Sequence, residues 1–185
     1  MTHHLSLPLS KKTLLPLRAG DAIYLSGPLY TARDAAHIRL AAAVAAGTGL
    51  PLDLQDVTIF YTGPCPPKPG EPIGSLGPTT SQRMDPFVEM MFLQGMSAMI
   101  GKGDRSPHIS TLCLTYGGVY FLGLGGAAAL TASQVRHSTV VAYEDLGTEA
   151  IRRLEVENML VFVGIDTLGQ SLSEQEISKY RRTHL

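Results

Sequence analysis

Six prolines at positions 64, 66, 67, 69, 72 and 78, interleaved with glycines in GPCPPKPGEPIGSLGPTT, keep residues 63–80 from forming a regular helix or strand. A connection of that length inside a compact domain is usually functional or disordered. Regular structure must therefore come from the segments on either side, and these alternate. Ala22–Tyr30 (AIYLSGPLY) reads as a strand, and Thr31–Ala46 (TARDAAHIRLAAAVAA) as an alanine-rich helix stopped by Gly47 and Gly49. Val57–Thr62 (VTIFYT) is a β-branched and aromatic strand. Beyond the Pro/Gly stretch the spacing predicts a helix over Arg83–Leu93, a strand over Ser97–Ile100 and a helix over Ser106–Tyr116, with Pro107 near its first position. A strand over Val119–Leu124, a helix over Gly125–Val135, a strand over Thr139–Tyr143, a short helix over Thr148–Leu154, a strand over Met159–Ile165 and a polar helix over Ser173–Arg182 complete the reading. This order argues for an α/β fold in one domain, residues 1–185, around a mostly parallel central sheet. Ser6–Leu17 is expected to add antiparallel pairing at an edge.

Fifteen Lys and Arg against 16 Asp and Glu leave a formal charge of −1, so no overall field attracts nucleic acid, and any anion site must be a local cluster. No apolar run reaches membrane-spanning length, and Lys11 and Lys12 follow a short mixed stretch, the wrong order for a secretory leader. The expected location is the cytoplasm. Cys65 and Cys113 are far apart, with no nearby His or Cys to complete a metal-ligand pattern. They cannot hold a four-iron cluster alone, because such clusters take three or four thiolates.

Several short segments carry candidate chemistry. Gly77-Pro78-Thr79-Thr80-Ser81-Gln82-Arg83-Met84 puts two hydroxyls and a guanidinium at the start of a predicted helix, where N–H groups and the dipole favour a carboxylate or phosphate; the plainer reading is a helix cap. Arg33 and His37 lie four apart on one helix face at a strand-to-helix turn, so Arg33 can fork onto a carboxylate and His37 can tune or relay protons; the plainer reading pairs Arg33 with Asp34. Gly101-Lys102-Gly103-Asp104-Arg105-Ser106 lets backbone approach a ligand contacted by Lys102, or is a turn with solvated charges. Gly123-Leu124-Gly125-Gly126-Ala127-Ala128 imitates a dinucleotide fingerprint, with Glu144 downstream, but little chain remains for a second nucleotide-binding half. The acids Glu144, Asp145 and Glu149 fit helix-start roles, and Cys65 an inert turn residue.

Taken in order, SGPLYTARDAAH (26–37), YTGPCPPKPGEPIGSLGPTTSQRMD (61–85), MIGKGDRS (99–106), YFLGLGGAAAL (120–130) and VVAYEDLGTEAI (140–151) resemble the β subunit of class I fumarases and tartrate dehydratases. The likeness covers most of the chain; one departure is Pro28 in SGPLYTARD. The resemblance implies a swivelling β/β/α domain, and a cluster-bearing α subunit as partner in a higher heteromer. The four-iron four-sulfur cluster would be supplied by that α subunit, with no metal bound by this chain. By matching position, Arg33 and Arg83 look like substrate-carboxylate arginines, Thr79 like the proposed base, Thr80 like a substrate contact and Lys102 like a further active-site cation. The implied reaction is reversible hydration and dehydration of a small 2-hydroxy dicarboxylate, fumarate/malate or tartrate/oxaloacetate, active only with the α subunit. An open iron of the cluster would bind the hydroxyl that leaves as water. The alternative is a stand-alone carboxylate-binding or regulatory module without catalysis.

Overall fold

A computed structural model describes residues 1–181. In chain order its elements are β1 (Thr2–Ser6), α1 (Lys11–Leu14), β2 (Ala22–Thr31), α2 (Asp34–Ala46), β3 (Thr58–Phe60), a 3₁₀ helix (Ser81–Phe87), α3 (Val88–Leu93), β4 (Ala98–Gly101), α4 (His108–Tyr116), β5 (Val119–Gly123), α5 (Ala128–Ser133), β6 (Val135–Ala142), a second 3₁₀ segment (Glu144–Glu149), β7 (Ile151–Ile165) and α6 (Leu172–Tyr180). The last residue of the predicted C-terminal helix, Arg182, lies outside the described residues.

The strands run β1-β2-β3-β4-β5-β7-β6, and β2 also pairs with β7, so β2-β3-β4-β5-β7 closes into a ring. The long strand β7 makes this possible. Along one edge it pairs antiparallel with β2, from Ala22↔Phe162 to Thr31↔Arg152; its other edge is shared by β5 and β6. Closure explains the burial pattern of the short strands. Phe60, Ile100 and Phe121 point into the core enclosed by the ring, with Ile23, Leu25, Val161 and Val163. Their neighbours Ile59, Met99 and Tyr120 point the other way, into a second core shared with Ala36 and Leu40 of α2, Met91 of α3, and Ile109 and Cys113 of α4. Alternation with both faces covered leaves β3 and β4 wholly buried, so they read in sequence as continuous apolar runs.

Four corrections follow. The sheet is mixed rather than mostly parallel: β1 through β5 pair in parallel, but every pairing of β7 is antiparallel. The N-terminal strand is Thr2–Ser6, not Ser6–Leu17, and it pairs with β2 in parallel. The segment expected as a helix over Thr148–Leu154 is divided between the 3₁₀ turn and β7, because Ile151, Leu154 and Val156 bury against β2 and β6 and tertiary pairing overrides local propensity. Arg83–Leu93 is part 3₁₀ and part α, with Pro86, which has no N–H to donate, inside the 3₁₀ portion.

Pro28 sits just past a register shift between Leu25 and Gly27 and falls where neither β1 nor β3 pairs with β2. Gly27 adopts φ +115, and a Cβ there would lie 3.0 Å from the Leu7 carbonyl oxygen, so this irregularity needs glycine. The remainder of β2 regains its register with β7 and delivers Thr31 to the edge of β3. No helix among the described residues is long and apolar enough to cross a membrane.

Candidate active site

Because β2, β3 and β4 are parallel neighbours, their C-terminal ends lie along one edge of the sheet, where ligands of open α/β sheets also collect. Arg33 follows β2, Gly63 follows β3 and Lys102 follows β4. The end of the Pro/Gly connection then returns as a wedge between β3 and β4. Thr79 donates its N–H to the Tyr61 carbonyl (2.8 Å), Lys102 donates to the Thr79 carbonyl (3.2 Å), and Ser81 donates to the Lys102 carbonyl (3.0 Å). Thr80 and Lys102 thus form an isolated parallel bridge. Residues far apart in sequence are placed by backbone hydrogen bonds, which side-chain substitution barely touches.

Onto this frame the side chains converge. Arg83 Nη2 donates to Thr79 Oγ1 at 2.7 Å, and Arg83 Nε lies 3.3 Å from Asp34 Oδ1. Arg33 Nε donates to the other Asp34 oxygen at 3.2 Å, and its Nη2 lies 3.4 Å from Glu149 Oε1. Glu149 also accepts the Ala35 N–H at 2.8 Å, completing the start of α2, whose N-cap Arg33 makes no side-chain cap of its own. Gly63 lets Arg33 lie close against the β3 end: a Cβ there would stand 3.2 Å from Arg33 Nη1 and 3.0 Å from the Thr148 carbonyl oxygen. Thr80 and Lys102 are exposed beside this group, and among the described residues Lys102 makes no ion pair.

Arg33, Thr79 and Arg83 therefore form one connected set, and Thr80 and Lys102 join it through the backbone. Capping by Thr80 is not seen, since it makes no side-chain bond to the 3₁₀ helix that follows. That helix is a single short 3₁₀ element, so attraction for an anion rests on the guanidinium groups more than on a dipole. His37 stands apart. It is buried, its Nδ1 lies 3.0 Å from the Arg33 carbonyl oxygen, and its ring packs edge-on to Tyr61 and tilted against Phe87. A carbonyl only accepts, so Nδ1 carries the proton. Burial holds the imidazole neutral, with its pKa down to about 4. The imidazole reinforces the first turn of α2, and among the described residues it makes no hydrogen bond to a guanidinium, so the arrangement gives no sign of the proton relay that was one of its expected roles.

Beneath the wedge lies a second polar cluster. Arg105 donates from Nε to Asp85 Oδ1 at 2.6 Å, and Ser106 donates its N–H to Asp85 Oδ2 at 2.8 Å. The guanidinium sits over the ring of Tyr120 at 4.7 Å and of Tyr61 at 5.6 Å. Burial pushes both phenols up to about 12. Tyr120 Oη is 2.9 Å from Ser81 Oγ and donates to the Gly103 carbonyl at 3.0 Å, fastening the loop that carries Lys102. A Cβ on Gly101 would come within 1.9 Å of Ser81 Oγ, so only glycine admits this contact.

Sequence reasoning missed Asp34 and Glu149 as members of the site. The first was read as the ordinary partner of Arg33 and the second as a helix-start acid. The usable signals were an Arg-Asp pair at a strand-to-helix turn and an acid in YEDLGTEAI, one of the resembling segments. The dinucleotide look-alike opens only the six-residue helix α5 and then β6, so no second nucleotide-binding half follows. Cys113 is buried, which pushes its thiol up to about 12, while Cys65 is exposed in the proline connection. Among the described residues no three His, Cys, Asp or Glu side chains gather as a metal site. With Cys113 buried in the second core and Cys65 exposed in the proline connection, the described side chains offer no thiolate set that fits an iron–sulfur cluster.

These features define a mixed α/β domain with a ring-closed sheet and an arginine-rich cluster at the C-terminal edge of its parallel strands. The family model described as Fumarase C-terminus matches residues 2–176, and the chain belongs to that family. It is 40% identical over 157 residues to the anaerobic class I fumarate hydratase of Escherichia coli, a match spanning 84% of this chain but 29% of that protein. It is 38% identical over 173 residues to a putative L(+)-tartrate dehydratase subunit beta of Methanocaldococcus jannaschii, spanning 90% of this chain and 89% of that one. The L(+)-tartrate dehydratase subunit beta of Escherichia coli is 34% identical over 173 residues, spanning 91% and 85%.

Proposed function

We propose that this chain is the β subunit of a cytoplasmic, heteromeric iron–sulfur hydro-lyase that adds water to, or removes it from, a small 2-hydroxy dicarboxylate: fumarate/malate or tartrate/oxaloacetate. The ring-closed sheet is the swivelling β/β/α domain, and the cluster belongs to an α subunit of a higher heteromer. The names of the relatives support hydro-lyase chemistry and a β-subunit role. The observation that carries the reading is the set Arg33–Asp34–Arg83–Thr79, with two guanidiniums and a hydroxyl held at one strand edge.

A dicarboxylate brings two negative charges, and two forked guanidiniums hold and orient them better than point charges. Thr79 is the proton-transfer group. Its oxygen accepts from Arg83, so its own O–H is directed elsewhere, and a cationic donor at 2.7 Å favours the deprotonated hydroxyl. Thr80 and Lys102, exposed beside it, complete the substrate contacts.

The test is to co-express this chain with a cluster-bearing α subunit without oxygen, then follow fumarate hydration and tartrate dehydration with each chain alone and with the assembly. Activity is expected only in the assembly, and the better substrate names the enzyme. Thr79→Val should lower kcat by about a hundredfold while KM moves little. Tight malate binding by this chain alone, with no activity in any mixture, would replace the enzyme by a stand-alone binding module.

A further inference from the structure

Asp34 is the only group among the described residues that touches both arginines of the site. It takes Nε of each, Arg33 at 3.2 Å on Oδ2 and Arg83 at 3.3 Å on Oδ1. The second contact of each guanidinium is made by Nη2, to Glu149 in one case and to Thr79 in the other. Nη1 of each donates no hydrogen bond among the described residues, and that of Arg33 lies against Gly63. Asp34 is fixed by its position in the first turn of α2, and that turn is itself held by Glu149 and by His37 through the Arg33 carbonyl.

Two like charges on separate elements, one after β2 and one in the 3₁₀ helix before α3, repel each other unless something neutralises and ties them. Guanidinium pairs that receive one substrate must hold a fixed separation, because small misplacements of binding groups cost large factors in rate. We infer that Asp34 is a positioning residue that sets the spacing and orientation of Arg33 and Arg83 for the two carboxylate-binding contacts; this rests on the functional reading above. The carboxylate acts through the arginines and touches no reacting atom. It also couples the α2 side of the site to the wedge that carries Thr79, since Arg83 bridges Asp34 and the Thr79 hydroxyl.

Two measurements on Asp34→Asn test this. In the assembled two-chain enzyme, kcat/KM for the better substrate should fall by about tenfold to a hundredfold, mostly in kcat, with the melting temperature of the chain unchanged. Asp34→Glu should recover part of the loss, which a merely structural role would not predict. Independently of activity, phenylglyoxal should modify Arg83 and Arg33 severalfold faster in Asp34→Asn than in the parent, read by mass spectrometry of peptides from this chain. An unchanged kcat/KM, or a lower KM at constant kcat, would show Asp34 to be a placeholder that substrate expels. Unchanged modification rates would sink the bridge whatever the kinetics. If the parent assembly is inactive while the variant's arginines are still unmasked, the hydro-lyase reading fails, and with it the role in the reaction; only the side-chain bridge survives.

Discussion

Two Arg–carboxylate groups lie within one strand end of each other and do opposite things. Arg105 and Asp85 are 1% and 4% exposed and 2.6 Å apart, with a backbone N–H on the second carboxylate oxygen and two tyrosine rings against the guanidinium. Arg33, Arg83 and Asp34 are 26%, 47% and 31% exposed, and their ion-pair contacts are longer. A sealed pair adds little net stability over an apolar filling but is costly to break, because the remaining charge stays buried. An open pair contributes little to stability in either sense. The sealed group fastens the loop that follows Lys102, and the open group is the one from which the proposed function draws its carboxylate contacts.

The most severe way to break the sealed side is Asp85→Asn, which strands the Arg105 charge in the core. It should cost about 3–5 kcal/mol, read as a lower urea midpoint at constant m-value. A loss below about 1 kcal/mol would mean that Arg105 finds water or another acceptor, and that the pair is not sealed. Its mirror on the open side is Arg83→Ala. Stability should change by less than about 0.5 kcal/mol, while kcat/KM of the assembled enzyme falls by about a hundredfold. If Arg83→Ala unfolds the chain as Asp85→Asn does, or leaves turnover intact, the contrast between the two groups is lost.

The same contrast shows what the sequence can and cannot reveal. Gly101-Lys102-Gly103-Asp104-Arg105 offers two cations three residues apart, and only the fold decides that one is exposed and the other sealed. Glycine at 101 announced close backbone approach, yet the atom that approaches, Ser81 Oγ, belongs to the first residue after the proline connection, 20 positions earlier in the chain. Local elements were readable because alternation and glycine stops act within a few residues: β2, α2, β4, α4 and β5 lie where the pattern puts them, give or take ends. The long antiparallel strand was not, because its first half earns its pairing only from β2 and β6, more than a hundred and about ten residues away. Arg33 and Arg83 stood out by residue type and by resemblance. Asp34 and Glu149 did not, since an acid at a helix start has a sufficient local explanation, and the longer-range one needs coordinates.

A gentler test concerns His37, which packs against Tyr61 and Phe87 and holds the turn from which Asp34 projects. Burial lowers its pKa to about 4 from the ordinary value near 6.5, so as pH falls the unfolded chain takes up the proton before the folded one does. The stability contributed by the neutral imidazole is therefore complete above about pH 6.5 and is lost as pH falls through about 4. Between pH 7 and pH 5 this amounts to about 2 kcal/mol, and His37→Asn, which can still donate to the Arg33 carbonyl but does not titrate, should flatten the slope by that amount. Equal slopes in parent and variant would show that the imidazole is solvated and that α2 is not anchored through it. If the slopes do differ, the folded chain keeps a neutral imidazole on the first turn of α2 at pH 5, and removing it in His37→Ala should let phenylglyoxal reach Arg33 faster at neutral pH, placing the weak point of the open group at that turn rather than at the wedge.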